Sequence, residues 1–256
     1  MNHFKFFYLL TIGFLFFFSS CVSKKNLYYV QDIQSYNNSE VISSQNIIQE
    51  NDILKIDVTS LELSASLPYN IPAFQSNNGM NLQIMQLNGY LVSNNKTINF
   101  PVLGEVYVTD KTTKGLESYL KNRLESEGHL IKPVVSVRLL NSKFTVLGEV
   151  NRPGTYNFTE KNISFLQAIG LAGDLTIDGN RKDIVVVRES DGLRTTSNID
   201  LTSASWLTST YQNIQPNDVI IVKPNTKKVT SAGLIGNIST FLSIATIILS
   251  TIILVK

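Results

Sequence analysis

Few residues in this chain have side chains that could do chemistry. Cys21 is the only cysteine. It cannot close an intramolecular disulfide, and a lone exported thiol would be a reactive liability. His129 is the only histidine beyond the N-terminal leader, in the helix-exit loop Glu127-Gly128-His129-Leu130. One histidine and one cysteine exclude the common zinc sites, and a Ser-His-Asp triad would rest on that single loop residue. Carboxylates are plentiful, so a paired-carboxylate glycosidase is the enzyme hardest to exclude. Glu105 and Glu149 follow matching Leu-Gly pairs, but a solvated strand-edge glutamate is the ordinary reading of each. Gly170-Leu171-Ala172-Gly173-Asp174 falls at a helix end, where the dipole repels anions, so it is not a phosphate loop. Trp206 and Tyr211 could stack on sugar rings, though core or interface packing is the default for lone aromatics. No catalytic, metal-binding or cofactor-binding residue is assigned, and the chain is not expected to be an enzyme. Lys+Arg 22 against Asp+Glu 20 gives +2. With no long basic run, the footprint of a nucleic-acid binder is missing.

The informative chemistry lies at the two ends. Charged residues are 16% of the chain, against about 25% in a typical soluble domain. The apolar excess sits in Phe4–Phe18 and Leu234–Val255. Residues 1–20 hold the cation Lys5, an apolar run and the small residues Ser19 and Ser20, which is the secretory pattern; the run is too short to span a bilayer. Phe18-Ser19-Ser20-Cys21 resembles a bacterial lipobox, with Phe18 where leucine is usual. The resemblance implies that Cys21 becomes the acylated first residue of the mature chain. Val22-Ser23 lacks the aspartate of inner-membrane retention, which on the same resemblance favours the outer membrane. The competing reading is an incidental cysteine after an ordinary signal peptide.

Leu234–Val255 has 22 residues and no charge. As one helix it would measure about 33 Å, and it is expected to be a transmembrane helix. Its hydroxyls are not scattered. At 100° per residue, Ser239, Thr240, Ser243, Thr246, Ser250 and Thr251 fall on one arc of roughly 140°. Two readings stand: Ser239, Ser243, Thr246 and Ser250 line a water-filled pore, or the arc is a small-residue packing face between helices. Either implies association. Lys227-Lys228 lies on the body side of the segment, against the positive-inside tendency of an inner-membrane span.

Between the ends the chain reads as α+β, in two small α/β units that position whatever site exists. Residues 21–50 form a polar linker, 51–141 a first unit and 142–225 a second. Leu54, Ile56 and Val58 alternate as one face of a strand. Ser64–Gln86 reads as an irregular insertion. Leu116, Tyr119, Leu120 and Leu124 fall at helical spacing, and Gly128 ends that helix. Asn151-Arg152-Pro153-Gly154 is expected to be a tight turn, with Pro153 setting φ and Gly154 at positive φ as in a type II turn. Ser164-Phe165-Leu166-Gln167 is a capping box. Asp183–Arg188 and Leu193–Asp200 form a hairpin, and Val219–Lys223 is the last strand. Val102–Val106 recurs as Val146–Val150, a faint internal echo.

Asn51 to Pro224 resembles the Wza-type polysaccharide export lipoproteins. The residues that carry the likeness are Gly89–Val92, Ile98–Gly104, the helix around Leu116–Leu124, Pro133–Arg138, Val146–Tyr156, Ala168–Asp174 and Gln215–Ile220. The resemblance implies a polysaccharide export domain followed by one soluble-ligand-binding β-grasp (SLBB) domain. It also implies a homo-oligomeric ring beneath the outer membrane, a C-terminal helical barrel and polysaccharide as the substrate. The implied partner is an inner-membrane chain-length regulator, often coupled to a tyrosine kinase. On this reading the body is periplasmic, Cys21 is held in membrane lipid and the C-terminal helix lies in the outer membrane. The other reading is a lipid-anchored scaffold that binds a glycan or partner and has no pore of its own.

Overall fold

The computed structural model describes residues 24–36, 46–72, 82–190, 192–231 and 238–254. The first unit is built on β1 (Ile53–Thr59), where Leu54, Ile56 and Val58 are buried and their neighbours are not. The insertion holds α1 (Leu63–Ser66), a 3-10 turn at Leu67–Tyr69 and α2 (Leu82–Leu87). β2 (Tyr90–Leu91) pairs with β1, and β3 (Thr97–Phe100) forms a hairpin with β4 (Gly104–Tyr107). Thr112 caps α3 (Thr113–Ser126) by accepting the Gly115 amide on its side-chain oxygen at 3.1 Å. Leu116, Leu120 and Leu124, one helical turn apart, are fully buried; each burial stabilises by about 1.5–3 kcal/mol. Gly128, at φ +75°, stops the helix. β5 (Val134–Leu139) completes an antiparallel sheet in the order β2-β1-β5.

The second unit is a mixed sheet of order β10-β9-β12-β6-β7. Its strands are β6 (Lys143–Gly148), β7 (Gly154–Asn157), β9 (Gly179–Ser190), β10 (Leu193–Ile199) and β12 (Val219–Pro224). β12 runs parallel to β6 and antiparallel to β9. A separate pair joins β8 (Ile163–Ser164) to β11 (Asn213–Ile214). The capping box forms as expected: Ser164 Oγ accepts from the Gln167 amide, and Gln167 Oε1 accepts from the Ser164 amide. It opens α4 (Phe165–Leu171), whose Phe165 packs on Trp206 in the core.

This topology gives the second sheet two distinct ends. At one, Lys143 begins β6, Ser190 ends β9 and Val219 begins β12, next to the first unit. At the other, Gly148 ends β6, Gly179 begins β9 and Pro224 ends β12. The chain then forms α5 (Thr226–Ser231), and α6 (Ile238–Leu254) lies beyond.

Three expectations need correction. The C-terminal transmembrane helix is not supported: α6 has 17 residues, and among the described residues no helix is long and apolar enough to cross a membrane. At 1.5 Å per residue α6 measures about 25 Å, short of a hydrocarbon core of about 30 Å. An uncharged stretch in the sequence set the expected length, and of that stretch the described helix comprises Ile238–Leu254. Second, Gly154 is not at positive φ; it is the first residue of β7, and a Cβ there would meet nothing within 4 Å. Pro153-Gly154 is therefore not a type II turn. The left-handed residue is Gly148, at φ +89°. Third, part of the presumed linker is docked: the Val30 and Gln31 amides donate to Leu201 and Thr202 carbonyls at 2.8 and 2.9 Å. Ile48 is buried in the first unit's core.

Candidate functional site

A cleft of about 720 Å³ lies between the two units. The first unit contributes Asn46, Asp52, Glu117 and Arg138, and the second contributes Ser142 and Asn217. These side chains are held by their local turns and strand edges. Asp52 closes the turn before β1, its carboxylate accepting the Gln49 amide at 2.8 Å. Burial pushes its carboxyl up to about 6, partly offset by that hydrogen bond. Glu117, on α3, accepts the Val137 amide at 3.0 Å and so covers a donor on the outer edge of β5. Asn217, at φ +67°, sits in the turn into β12, its amide bonded to the Lys143 carbonyl at 2.7 Å. Asn46 Oδ1 is buried without a hydrogen-bond partner. The lining mixes donors and acceptors with the apolar Phe158 and Pro216, a surface able to hold a hydroxyl-rich ligand. Among the described residues no group of three or more His, Cys, Asp or Glu could hold a metal ion.

The opposite end of the second unit is tied together by the loop from Ala172 to Gly179. The Asn151 and Arg152 amides donate to the Asp174 and Ala172 carbonyls at 3.0 and 2.8 Å, and the Arg152 guanidinium donates to the Leu171 carbonyl. The bonds to Leu171 and Ala172 satisfy carbonyls that the C-terminus of α4 leaves free, and the bond to Asp174 ties in the loop beyond it. Glu149 accepts from Thr176 and from Lys228 at 2.9 and 2.7 Å. Lys228 first, and the Thr176 hydroxyl second, hold the Glu149 carboxyl below its ordinary value. Tyr29 donates to Asp174 and lies against the Arg181 guanidinium. Burial, then the Asp174 carboxylate, pushes the Tyr29 phenol well up.

The expected residues fall in different places. Cys21 lies outside the described residues. So does the side chain of Ser239, although its backbone is in α6. Ser243, Thr246 and Ser250 are exposed on α6. The Thr246 hydroxyl donates to the Leu242 and Ser243 carbonyls and that of Ser250 to Thr246 and Ile247, at 2.8–2.9 Å. Pro153 and Gly154 lead into β7. Glu105 is exposed, whereas Glu149 is bonded as above. His129 pairs with Glu127 at 3.2 Å and meets Tyr69 edge-on. Trp206 is a core residue, and Tyr211 lies 4.7 Å from the Arg188 guanidinium.

Residues 41–140 match the family model of polysaccharide biosynthesis/export proteins, and residues 142–222 match that of the SLBB domain. The chain belongs to the polysaccharide export family and carries an SLBB domain. Neither family is one of enzymes, and the match assigns the chain a role in polysaccharide export. The export domain is the first unit and the SLBB domain the second, so the cleft lies between the two. Sequence reasoning missed the cleft residues. Asp52 and Asn217 were visible only as turn formers, and only the fold brings the two domains' turns together. It also missed the buried pair of Arg188 and Asp218, for which Pro216-Asn217-Asp218 showed nothing beyond a turn.

Proposed function

We propose that this chain is an outer-membrane lipoprotein with a periplasmic body, anchored through acylated Cys21, whose copies assemble into a ring that conducts polysaccharide. The observation that carries the reading is α6. Leu242, Ile244, Ile247 and Ile248 are 60%, 53%, 63% and 53% exposed, and Ser243, Thr246, Ser250 and Thr251 are exposed as well. An apolar helix open to solvent on all these sides needs a cover. The α6 helices of other copies provide one, packing through Ile and Leu with the hydroxyl arc towards the lumen. Because Thr246 and Ser250 already donate to helix carbonyls, they offer a hydrated glycan mainly oxygen acceptors. These are weak, exchangeable contacts, suited to passage rather than capture. An inner-membrane chain-length regulator or kinase component is the partner that would deliver the polymer.

The test is the particle size of the detergent-purified full-length protein, together with the mass of its mature N-terminus. A closed ring of several copies with acylated Cys21 is the expected result. An export-competent monomer or dimer refutes the ring and leaves the poreless scaffold. An unmodified Cys21 refutes the anchor.

A further inference from the structure

The strands of the SLBB sheet run from the export domain to a pole where both flanking segments of the chain are gathered. Tyr29 is fastened to Asp174 there, and Val30 and Gln31 to Leu201 and Thr202; the Leu201 amide in turn donates to the Arg181 carbonyl. The C-terminal segment leaves β12 at the same pole, where the Asn225 amide donates to the Asp178 carbonyl and Lys228 reaches Glu149. Around these anchors exposed apolar and cationic side chains stand beside the carboxylates of Asp174 and Asp178. Tyr28, Ile177 and Val229 are 60%, 68% and 58% exposed. Lys25 and Lys227 are exposed and pair with no carboxylate among the described residues. Tyrosine, aliphatic side chains and lysines together are the composition of surfaces that sit at a bilayer interface.

Chain length supplies an independent constraint. Cys21 and Tyr29 are eight residues apart, so a fully extended chain separates them by at most about 29 Å. If Cys21 is held in the bilayer, this pole must lie within that distance of it. The export domain is attached at the other end of the sheet.

We propose that this pole docks on the lipid headgroups of the membrane that holds Cys21, with Ile177 and Tyr28 at the apolar boundary and Lys25 and Lys227 against lipid phosphates. The export domain then points away from the membrane, with the interdomain cleft on the far side of the SLBB sheet. This rests on the lipoprotein reading above and extends it by naming the face that touches lipid. Each lysine near an anionic surface is worth about a fivefold change in surface association.

The experiment uses the full-length mature protein in nanodiscs containing phosphatidylglycerol and headgroup-level spin-labelled lipid. Ile177→Cys and, separately, Val134→Cys carry an environment-sensitive fluorophore. Both sites are largely exposed, Val134 on the export domain. Strong quenching at 177 with none at 134 is expected. A Lys25→Gln/Lys227→Gln pair should weaken the 177 quenching by an order of magnitude or more, with an unchanged melting profile. Equal quenching at both sites, or none at 177 while Cys21 is acylated, overturns the docking and leaves the lipoprotein reading standing. An unacylated Cys21, which would itself take up the fluorophore, overturns the anchor. Quenching at 177 measured with Cys21→Ser then decides the docking by itself.

Discussion

Replacing Asp218 should unfold the SLBB domain more readily than any surface change. Its carboxylate is wholly buried and Arg188 is 8% exposed. Asp218 accepts Arg188 Nε at 2.9 Å, Nη2 at 2.7 Å and the Gln215 amide at 2.8 Å. Arg188 also donates to the carbonyls of Thr210 and Asn213. Asp218→Ala leaves the buried guanidinium with those two carbonyls alone and orphans the Gln215 amide. Breaking a buried pair from one side costs about 3–5 kcal/mol, a large part of the 5–15 kcal/mol that stabilises a typical domain. Arg188→Met/Asp218→Ala removes both charges and should recover much of the loss. The assay is urea unfolding followed by tryptophan fluorescence. Trp206 is the only tryptophan and packs on Phe165 in the same core, so the signal belongs to this domain. At a slope of about 1–1.5 kcal/mol per molar urea for so small a domain, the single variant's midpoint should drop by about 2–5 M, or the domain should be unfolded in buffer. A cost below about 1 kcal/mol, or a double variant no more stable than the single one, would refute the argument.

Three further outcomes follow from the geometry. The folded-state pKa of Asp52 is raised from 3.8 to about 6, so between these values the folded chain holds a proton that the unfolded chain has released. Stability should therefore fall as pH rises from about 4 to about 6, by up to about 3 kcal/mol, and Asp52→Asn should flatten that slope in pH-dependent thermal melts. A Cβ on Gly148 would lie 2.1 Å from the Val222 carbonyl oxygen, whereas one on Gly104, also at positive φ, meets nothing within 4 Å. Gly148→Ala should cost about 2–4 kcal/mol in urea unfolding and Gly104→Ala about 1 kcal/mol. Asp32 Oδ1 accepts the Ala204 amide at 2.6 Å; Asp32→Ala should loosen the N-terminal strap by about 1–2 kcal/mol, seen as faster hydrogen exchange at the Val30 and Gln31 amides.

How far the sequence could be read depended on the range of the interaction. The capping box at Ser164 and Gln167, the buried leucines of α3 and the alternation of β1 are signals that a few neighbouring residues carry completely, and each reappears in the structure. The identification of the two units as an export domain and an SLBB domain rested on resemblance, and the family matches carry it. What failed depended on partners far along the chain. Pro153-Gly154 has the composition of a tight turn, but residues 149–152 are drawn out to cap α4 and bond the loop beyond it. The bend they need is supplied at Gly148, pressed against Val222 on a parallel strand more than 70 residues away. No local rule distinguishes those two glycines, because the deciding contact is made by another strand.

Hydropathy counts side chains, so 22 uncharged residues read as a span. Crossing a bilayer, however, is a condition on continuous helix length, and the 17 residues of α6 do not meet it. Within α6, Thr246, Ser250 and Thr251 each bond back to carbonyls three and four residues earlier. Those bonds let the hydroxyls sit beside apolar neighbours without stranding a donor. A helix built this way can pack through its isoleucines while presenting oxygen on the other side, which is the division of labour that the proposed collar around a passing glycan requires.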